Sequence, residues 1–567
     1  MDNHEIARIM HELADLLEIK RESYYKVKAY RNASRVIDAL DEPVKKLWKE
    51  GQLEKIPGIG KNIAAKISEL LTTGNLKKYQ ELLDEIPHGL LEVITLPGIG
   101  PKRARMLHEE LGITNLEELA AAAREKKLRN LPGMGVRIED QILRNIVLHQ
   151  NKAGRALLDL GRSIASELAG YLEMLPCVTR VVAGGSLRRW KDSVGDIDLV
   201  VASEEPRTVI DSLAGHYRIS GILEKGYDGA RFQTKWGIVV ELEIVPEEVF
   251  PLALFRNTGS HAHFKKLQEL MEKQDNPLAA GLFGQAWGET FEHDLYRMLG
   301  LQYIPPELRE DQGEIEAAMT NSLPELVTIN AIKGDLHVHS DWSDGMAGIE
   351  ELVARAKAKG YQYLAITDHS RSLRIANGLT LEKLQEQHAL IRELNKQEDD
   401  FLILTGIEVD ILPQGELDFP DEVLEEIDVV IASIHSSFKQ DKDTMTKRLL
   451  SAIENKNVDI IGHPTGRLVN KREGVALDFD RVLEAAAVYG TILEINASPN
   501  RLDLSDVNAR LAKTKGVKMA INTDAHDLKR LDEMTYGVAV GRRAWLEEGD
   551  IVNTLPADEL LAYLRRK

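Results

Sequence analysis

Among 567 residues there is one cysteine, Cys177. A disulfide framework is therefore excluded and a reducing compartment suits the chain; Cys177 itself reads as a small buried hydrophobe. No segment approaches the roughly eighteen uninterrupted apolar residues that a membrane-spanning helix needs, so no membrane partner is expected. The opening MDNHEIARIM lacks a cationic start followed by an apolar run. No signal peptide is expected, and the expected location is cytoplasmic. Low-complexity segments are also missing. The length exceeds what one compact core requires, so several domains are expected, in a chain taken to be a monomer.

The formal charge of −19 argues at first against nucleic acid. It is unevenly spread: residues 1–150 carry +1, residues 151–320 carry −8 and residues 321–567 carry −12. A near-neutral front and an acidic back fit a DNA-binding head joined to a carboxylate-rich, metal-holding tail.

Residues 1–150 read as helices broken by glycine turns. One pattern recurs three times, in IPGIGKNIAAKI (56–67), LPGIGPKRARML (96–107) and LPGMGVRIEDQI (131–142). Glycine lets backbone approach a surface closely, and free amide N–H groups at a helix start can hold a DNA phosphate. Gly58, Gly60, Gly98, Gly100, Gly133 and Gly135 are thus candidate DNA contacts, to phosphates and not bases. A single turn would be explained equally well by a plain αα-hairpin; three repeats favour the helix-hairpin-helix family, which they resemble.

Farther along, strand-like runs appear: TRVVAGG, DIDLVVAS and IVVELEIV. Asp196 and Asp198, two apart on a strand, share a face and can share divalent cations. Gly185 and Ser186 stand between a strand and a helix, where a triphosphate can bind, with Arg188 and Arg189 to neutralise it. YIPPELREDQGEIEAAM (303–319), with its proline pair and charge cluster, reads as a linker. Beyond it seven β-rich runs alternate with helical stretches, and nearly all finish in His, Asp or Glu. In a (β/α) barrel the C-terminal strand ends open on one face. His337, His339, Asp344, His369, Glu408, His435, His463, Asp524 and His526 would converge there. Nine nitrogen and carboxylate donors exceed one ion's capacity and imply a cluster of two or three Mn²⁺ or Zn²⁺ ions, or Fe²⁺, able to activate water for phosphoester hydrolysis. One buried histidine on a strand would more often be an ordinary core residue; a succession of six is not.

The Gly-Ser-X-Arg-Arg and Gly-Asp-X-Asp pair resembles the nucleotidyltransferase motif of family X DNA polymerases. Asp-X-His-X-His, Ser-Asp-Gly, Thr-Asp-His, GIEVD and the final Asp-X-His resemble the polymerase-and-histidinol-phosphatase (PHP) family. Together they cover essentially the whole chain, as in bacterial and archaeal family X polymerases with a C-terminal PHP domain. The resemblance implies a multidomain α/β protein: a helix-hairpin-helix lyase-like domain (1–90), fingers (91–150), a nucleotidyltransferase palm (151–255), a thumb (256–315), a linker (316–333) and a (β/α)7 PHP barrel (334–567). It implies gapped or nicked DNA and deoxynucleoside triphosphates as partners, Mg²⁺ or Mn²⁺ in the palm, and base excision repair with a Mn²⁺-preferring 3′–5′ exonuclease, often with abasic-site or 3′-phosphatase activity. Lys66 falls on the lyase lysine, Lys26 near the 5′ phosphate, and Arg467 on a candidate phosphate-holding position.

The match has gaps. The third palm carboxylate is Glu241 instead of aspartate, with Glu243 as runner-up. The family's Tyr-Phe-Thr-Gly-Ser stands here as Arg256-Asn257-Thr258-Gly259-Ser260, and its base-contacting asparagine as Phe264. His261 and His263 receive no role. Weakened synthesis is expected, because misplacement of a catalytic group by about an ångström can cost on the order of a hundredfold. Two other readings stand: a non-catalytic DNA-binding scaffold attached to the barrel, and a small-molecule phosphatase.

Overall fold

The computed structural model describes residues 3–564 apart from 41, 88, 97, 125, 136–137, 140–141, 143–154, 274–290 and 399. It divides into two compact units, Met1–Ala153 and Gly154–Lys567. The expected boundary at 150–151, the Val136-Arg137 step of the third glycine repeat and 274–290 of the thumb lie outside the described residues.

The first unit is helical. Ile6, Met10, Leu13 and Leu17 recur at three- and four-residue spacing along Asn3–Ile19 and are buried, the signature of an amphipathic helix. Tyr24–Ala39 begins at Ser23, whose side chain accepts from the Lys26 amide, an N-cap. Helices Lys61–Thr73 and Pro101–Leu111 follow the first two glycine turns. Ile59, Ile63, Ile67, Ile99, Ala104 and Leu107 join one core with the first helix.

The second unit opens with a five-stranded sheet in the order Val178–Ala183, Asp196–Ser203, Val239–Val245, Gly229–Thr234, Ile219–Lys225. Asp196–Ser203 and Val239–Val245 run parallel; their neighbours are antiparallel. The hairpin formed by the last two strands was not foreseen. Its outer strand is exposed at nearly every position, so no buried apolar alternation marks it. Cys177 is half-buried against this sheet, not fully inside.

Seven parallel strands then lie in strict sequence order: Gly334–Val338, Tyr363–Ile366, Leu402–Asp410, Val429–Ser433, Ile460–Ile461, Ile492–Asn496 and Met519–Asn522. Each is an apolar run buried on both faces, as parallel strands under helices must be. A parallel bridge between Val338 and Ala525, with the His339 amide donating to the Ala525 carbonyl at 2.9 Å, brings the last strand back to the first. The result is a nearly closed (β/α)7 barrel. The final helix, Ala557–Leu564, packs through Leu560 and Leu564 against Leu336, Tyr363, Ile431 and Ile492.

The segment expected to be a linker is packed instead. Ile304, Leu308, Ile315, Ala318 and Leu326 belong to an apolar core with Phe255 and Tyr296. Its charges are matched at a distance in sequence: Glu307 with Arg542 at 2.7 Å, Arg309 with Glu292 at 2.8 Å, and Glu314 with His263 at 2.6 Å. Arg309 is fully buried and lies 5.2 to 5.6 Å from the rings of Phe255, Tyr296 and Tyr303, a cation–π cradle. Buried charges survive only when so paired. His263 thus has a structural role, holding Glu314 and the Tyr296 hydroxyl.

Candidate metal centre and nucleotide site

All nine barrel donors meet at the C-terminal rim. Three sets each offer ligand atoms within 4.8 Å of one another: His339, Asp344, His369 and His526; His337, His339 and Asp524; His369, Glu408 and His435. His463 joins through Glu408, its Nε2 lying 3.0 Å from Oε1. Glu408 is the hub, with His337, His435 and His369 at 3.5, 3.3 and 2.7 Å from its oxygens.

Several of these atoms are buried without a hydrogen-bond partner: His337 Nε2, both nitrogens of His339, His369 Nδ1 and Glu408 Oε2. The short His369–Glu408 approach is not a hydrogen bond in its geometry. Buried polar atoms are almost always satisfied, so donors that point at a common space without bonding one another fit cations between them. The donor set, nitrogen and oxygen without thiolate, fits Mn²⁺, Zn²⁺ or Fe²⁺. Two of the nine, His463 and Asp524, have left-handed φ values of +29° and +54°, the kind of strain a functional site holds.

Three residues that sequence reading passed over support this rim. Glu494 is fully buried and accepts from His337 Nδ1 at 2.7 Å and from the His463 amide at 2.7 Å. Asp410 accepts from His435 Nδ1 at 2.5 Å. Such carboxylates fix the tautomer and aim of a ligating imidazole. The available signal was an acid within an otherwise apolar strand, in ILEIN and GIEVD. Arg501, whose Nε is 3.7 Å from Asp524 Oδ2, is a cation at the centre's edge that no pattern announced.

Electrostatics follow the crowding. Burial drives His339 down to about 3, with the neighbouring His526 and His369 acting in the same direction, leaving the neutral ring a metal needs. Burial opposes charge on His435 too, but Glu408 and Asp410 outweigh it and raise it to about 10.

In the palm, Asp196, Asp198 and Glu241 present carboxylate oxygens within the same 4.8 Å limit. The parallel register sets Asp198 opposite Glu241. Burial, then the charges of Asp196 and Glu241, push Asp198 up to about 7. A Cβ on Gly185, whose φ is +56°, would fall 1.7 Å from Asp198 Oδ2, so the motif glycine is required by contact with a carboxylate as well as by backbone angle. Glu241 is also paired with Arg231 at 2.9 Å. Glu243 is engaged by Arg256 and, at 2.5 Å, by Asn257. The residues standing where the family has aromatics therefore hold the runner-up carboxylate.

Comparison with known proteins agrees with this layout. A helix-hairpin-helix domain model matches residues 1–76, a SAM-like helix-hairpin-helix tandem 90–146, a DNA polymerase beta thumb 253–310 and a PHP domain 335–498. The DNA polymerase/3′-5′ exonuclease PolX of Bacillus subtilis (strain 168) is 37% identical over 100% of both chains. The chain belongs to the family X DNA polymerases with a C-terminal PHP domain. A probable phosphatase of Thermoanaerobacter sp. (strain X514) is 32% identical over 41% of this chain and 94% of its own length. Another, of Shewanella sediminis (strain HAW-EB3), is 30% identical over 41% of this chain.

Three arginines expected at phosphates also meet protein partners. Arg189, expected at a triphosphate, donates from Nε to Glu310 at 2.9 Å and from Nη1 to the Thr258 carbonyl at 2.9 Å; Arg188 likewise grips Glu292 at 2.7 Å. Both are committed to carboxylates supplied far along the chain. Arg467 donates to the Arg501 and Leu502 carbonyls at 2.8 and 2.6 Å and reaches Asp192 at 3.2 Å. It fastens these two loops together. Ser186 Oγ, by contrast, is buried without a partner.

In the helical unit, the first glycine of each repeat is left-handed: Gly58 at +85°, Gly98 at +91° and Gly133 at +72°. Gly60 and Gly100 start their helices without any side-chain cap, and the Ile138 amide donates to the Gly135 carbonyl in the third. The first amides of these helices are left for an outside acceptor. Lys66 Nζ lies 2.8 Å from Glu69, and Lys26 Nζ 3.0 Å from Glu22.

Proposed function

We propose that the protein is a DNA repair enzyme that shortens or unblocks 3′ ends at the barrel rim and fills gaps, at reduced rate, in the palm. The observation that carries the first activity is the cluster of nine donors at one rim, several of them buried and unbonded. His337, His339, Asp344, His369, Glu408, His435, His463, Asp524 and His526 would hold two or three ions. Such a cluster supplies Lewis acidity and an activated water to a phosphoester. Around it, Glu494 and Asp410 orient His337 and His435, and Arg501 offers a cation to substrate phosphate. The glycine turns and their open helix starts would hold the DNA backbone without sequence preference, with Lys26 near a 5′ phosphate and Lys66 as lyase nucleophile.

In the palm, Asp196, Asp198 and Glu241 would hold Mg²⁺ or Mn²⁺, with Gly185 and Ser186 against the triphosphate. Arg189 would act from its position beside Asp198 and not as a free phosphate clamp. The deviations at Glu241, Arg256, Asn257 and Phe264 support reduced synthesis. The Arg231–Glu241 pair also favours a second reading, in which residues 1–320 only bind DNA.

Digestion of a 5′-labelled oligonucleotide across several divalent metals, with end-group analysis, tests the barrel. A ladder shrinking from the 3′ end, lost in the His337→Ala/His339→Ala protein, supports the reading. No shortening in any metal, or faster turnover of a small phosphomonoester than of DNA, refutes it. Extension across a one-nucleotide gap by the same double variant tests the palm: incorporation abolished by Asp196→Ala supports synthesis, and none with Mg²⁺ or Mn²⁺ leaves the scaffold reading.

A further inference from the structure

A third concentration of charge lies where barrel and palm meet, and none of the chemistry above uses it. Its centre is Arg543, on the barrel helix Met534–Arg543, with only 3% of its side chain exposed. Nη1 donates to the Arg189 carbonyl at 2.6 Å and to Glu310 Oε1 at 3.2 Å. Nε and Nη2 donate to Asp506 Oδ2 at 2.9 and 2.7 Å. The same Glu310 Oε1 accepts from Arg189 Nε at 2.9 Å. One barrel side chain therefore touches both the backbone of the nucleotide motif and the carboxylate that aims its arginine.

We propose that Arg543 is a positioning residue for the palm's nucleotide site, fixing Arg189 and the Gly185–Arg188 turn beside Asp198 through Glu310. The inference rests on the polymerase reading given above.

Four observations carry it. Arg189 has two of its three guanidinium nitrogens committed, to Glu310 and Thr258, so its position is set by those partners. Its guanidinium is among the charged groups close to the Asp198 carboxyl. The turn itself has no slack, since a Cβ at Gly185 would collide with Asp198. The loop between motif and aspartates is held from the barrel as well: Arg467 reaches Asp192 at 3.2 Å, and Asn470 donates to the Arg155 carbonyl at 3.1 Å while Arg155 grips Ser193. Glu310 cannot do this alone. Burial opposes its ionisation, and Arg189, Arg543 and Lys191 together keep it ionised. Arginine is needed because its planar fork makes contacts in three directions that a lysine point charge cannot. A network this costly to desolvate is weak as a source of stability; what it offers is fixed geometry.

The test uses the full-length protein on a one-nucleotide gap whose primer carries 3′-terminal phosphorothioate linkages to resist degradation. Arg543→Ala is expected to raise KM for the incoming nucleotide about tenfold, with a smaller change in kcat. The Kd for a fluorescent deoxynucleoside triphosphate should rise in parallel, Arg543→Lys should fall between, and Glu310→Gln should reproduce the effect. Oligonucleotide shortening in Mn²⁺ should stay within about twofold of wild type. If Arg543→Ala keeps wild-type KM and Kd, the inference is wrong. Should that variant unfold, Glu310→Gln decides: a raised KM and Kd sustain the inference, wild-type values end it. A wild-type protein that incorporates nothing overturns the polymerase reading itself, a result distinct from normal incorporation by every variant.

Discussion

The barrel and the palm solve one problem, bringing side chains able to ligate a metal close together, with opposite margins. In the barrel six of the nine donors are buried, the set outnumbers one ion's needs, and two of its imidazoles are aimed by further carboxylates. In the palm three carboxylates do the work, and Glu241 is 41% exposed and already paired with Arg231. A site with surplus donors tolerates loss of precision; a site with three does not. That difference places the chain's secure chemistry at the rim and its fragile chemistry in the sheet.

The sharpest attempt to break this comparison is to strip the barrel. The double change His337→Ala and His339→Ala should lower oligonucleotide shortening by about a thousandfold or more while leaving incorporation in Mg²⁺ intact. Equal loss of both activities would mean that the two sites are not separate. Asp198→Ala should do the converse, removing incorporation by a similar factor and sparing the exonuclease, as read by primer extension and digestion of one sample. Next in size, Glu494→Gln should weaken barrel metal affinity by about ten- to a hundredfold, measured by competition with a chromophoric chelator; unchanged affinity would deny Glu494 its orienting role. Glu241→Asp should raise gap filling about tenfold, and a fall would show the longer carboxylate to be the better fit.

The smallest effect concerns acid stability around Arg188. Burial opposes ionisation of Glu292, yet Arg309 and Arg188 hold it down at about 2. A depressed carboxyl stabilises the fold above its unfolded value, about 4.3, and loses that contribution as pH falls toward the folded one. Urea midpoints should therefore drop between roughly pH 4.5 and 2, and Glu292→Gln should flatten that part of the curve.

The nine rim residues were readable because each ends or closely follows an apolar run, and parallel strands of one barrel share an exit face. Their supporters were not. Glu494 sits inside one such run as an acid with no motif of its own, Asp410 closes the GIEVD run behind the more telling Glu408, and Arg501 acquires meaning only from a fold that sets it beside Asp524. The segment 303–319 was misread for a related reason. Prolines and charges look like a solvated connection until Arg542, Glu292 and His263, each far away in sequence, arrive to neutralise them. The partners of Arg189 and Arg467, Glu310 and Asp192, likewise lie outside any local pattern. Periodicity reveals which face a residue occupies, and says little about which distant charge will meet it.

The barrel's ring closes only when Ala525 bridges to Val338, and the rim draws on residues from His337 to His526. During synthesis, a nascent chain that has already made its DNA-gripping turns and its palm still lacks Asp524 and His526. The rim is thus completed after the turns and the palm, and a prematurely terminated product missing that stretch would keep the turns but lack two of the nine rim donors.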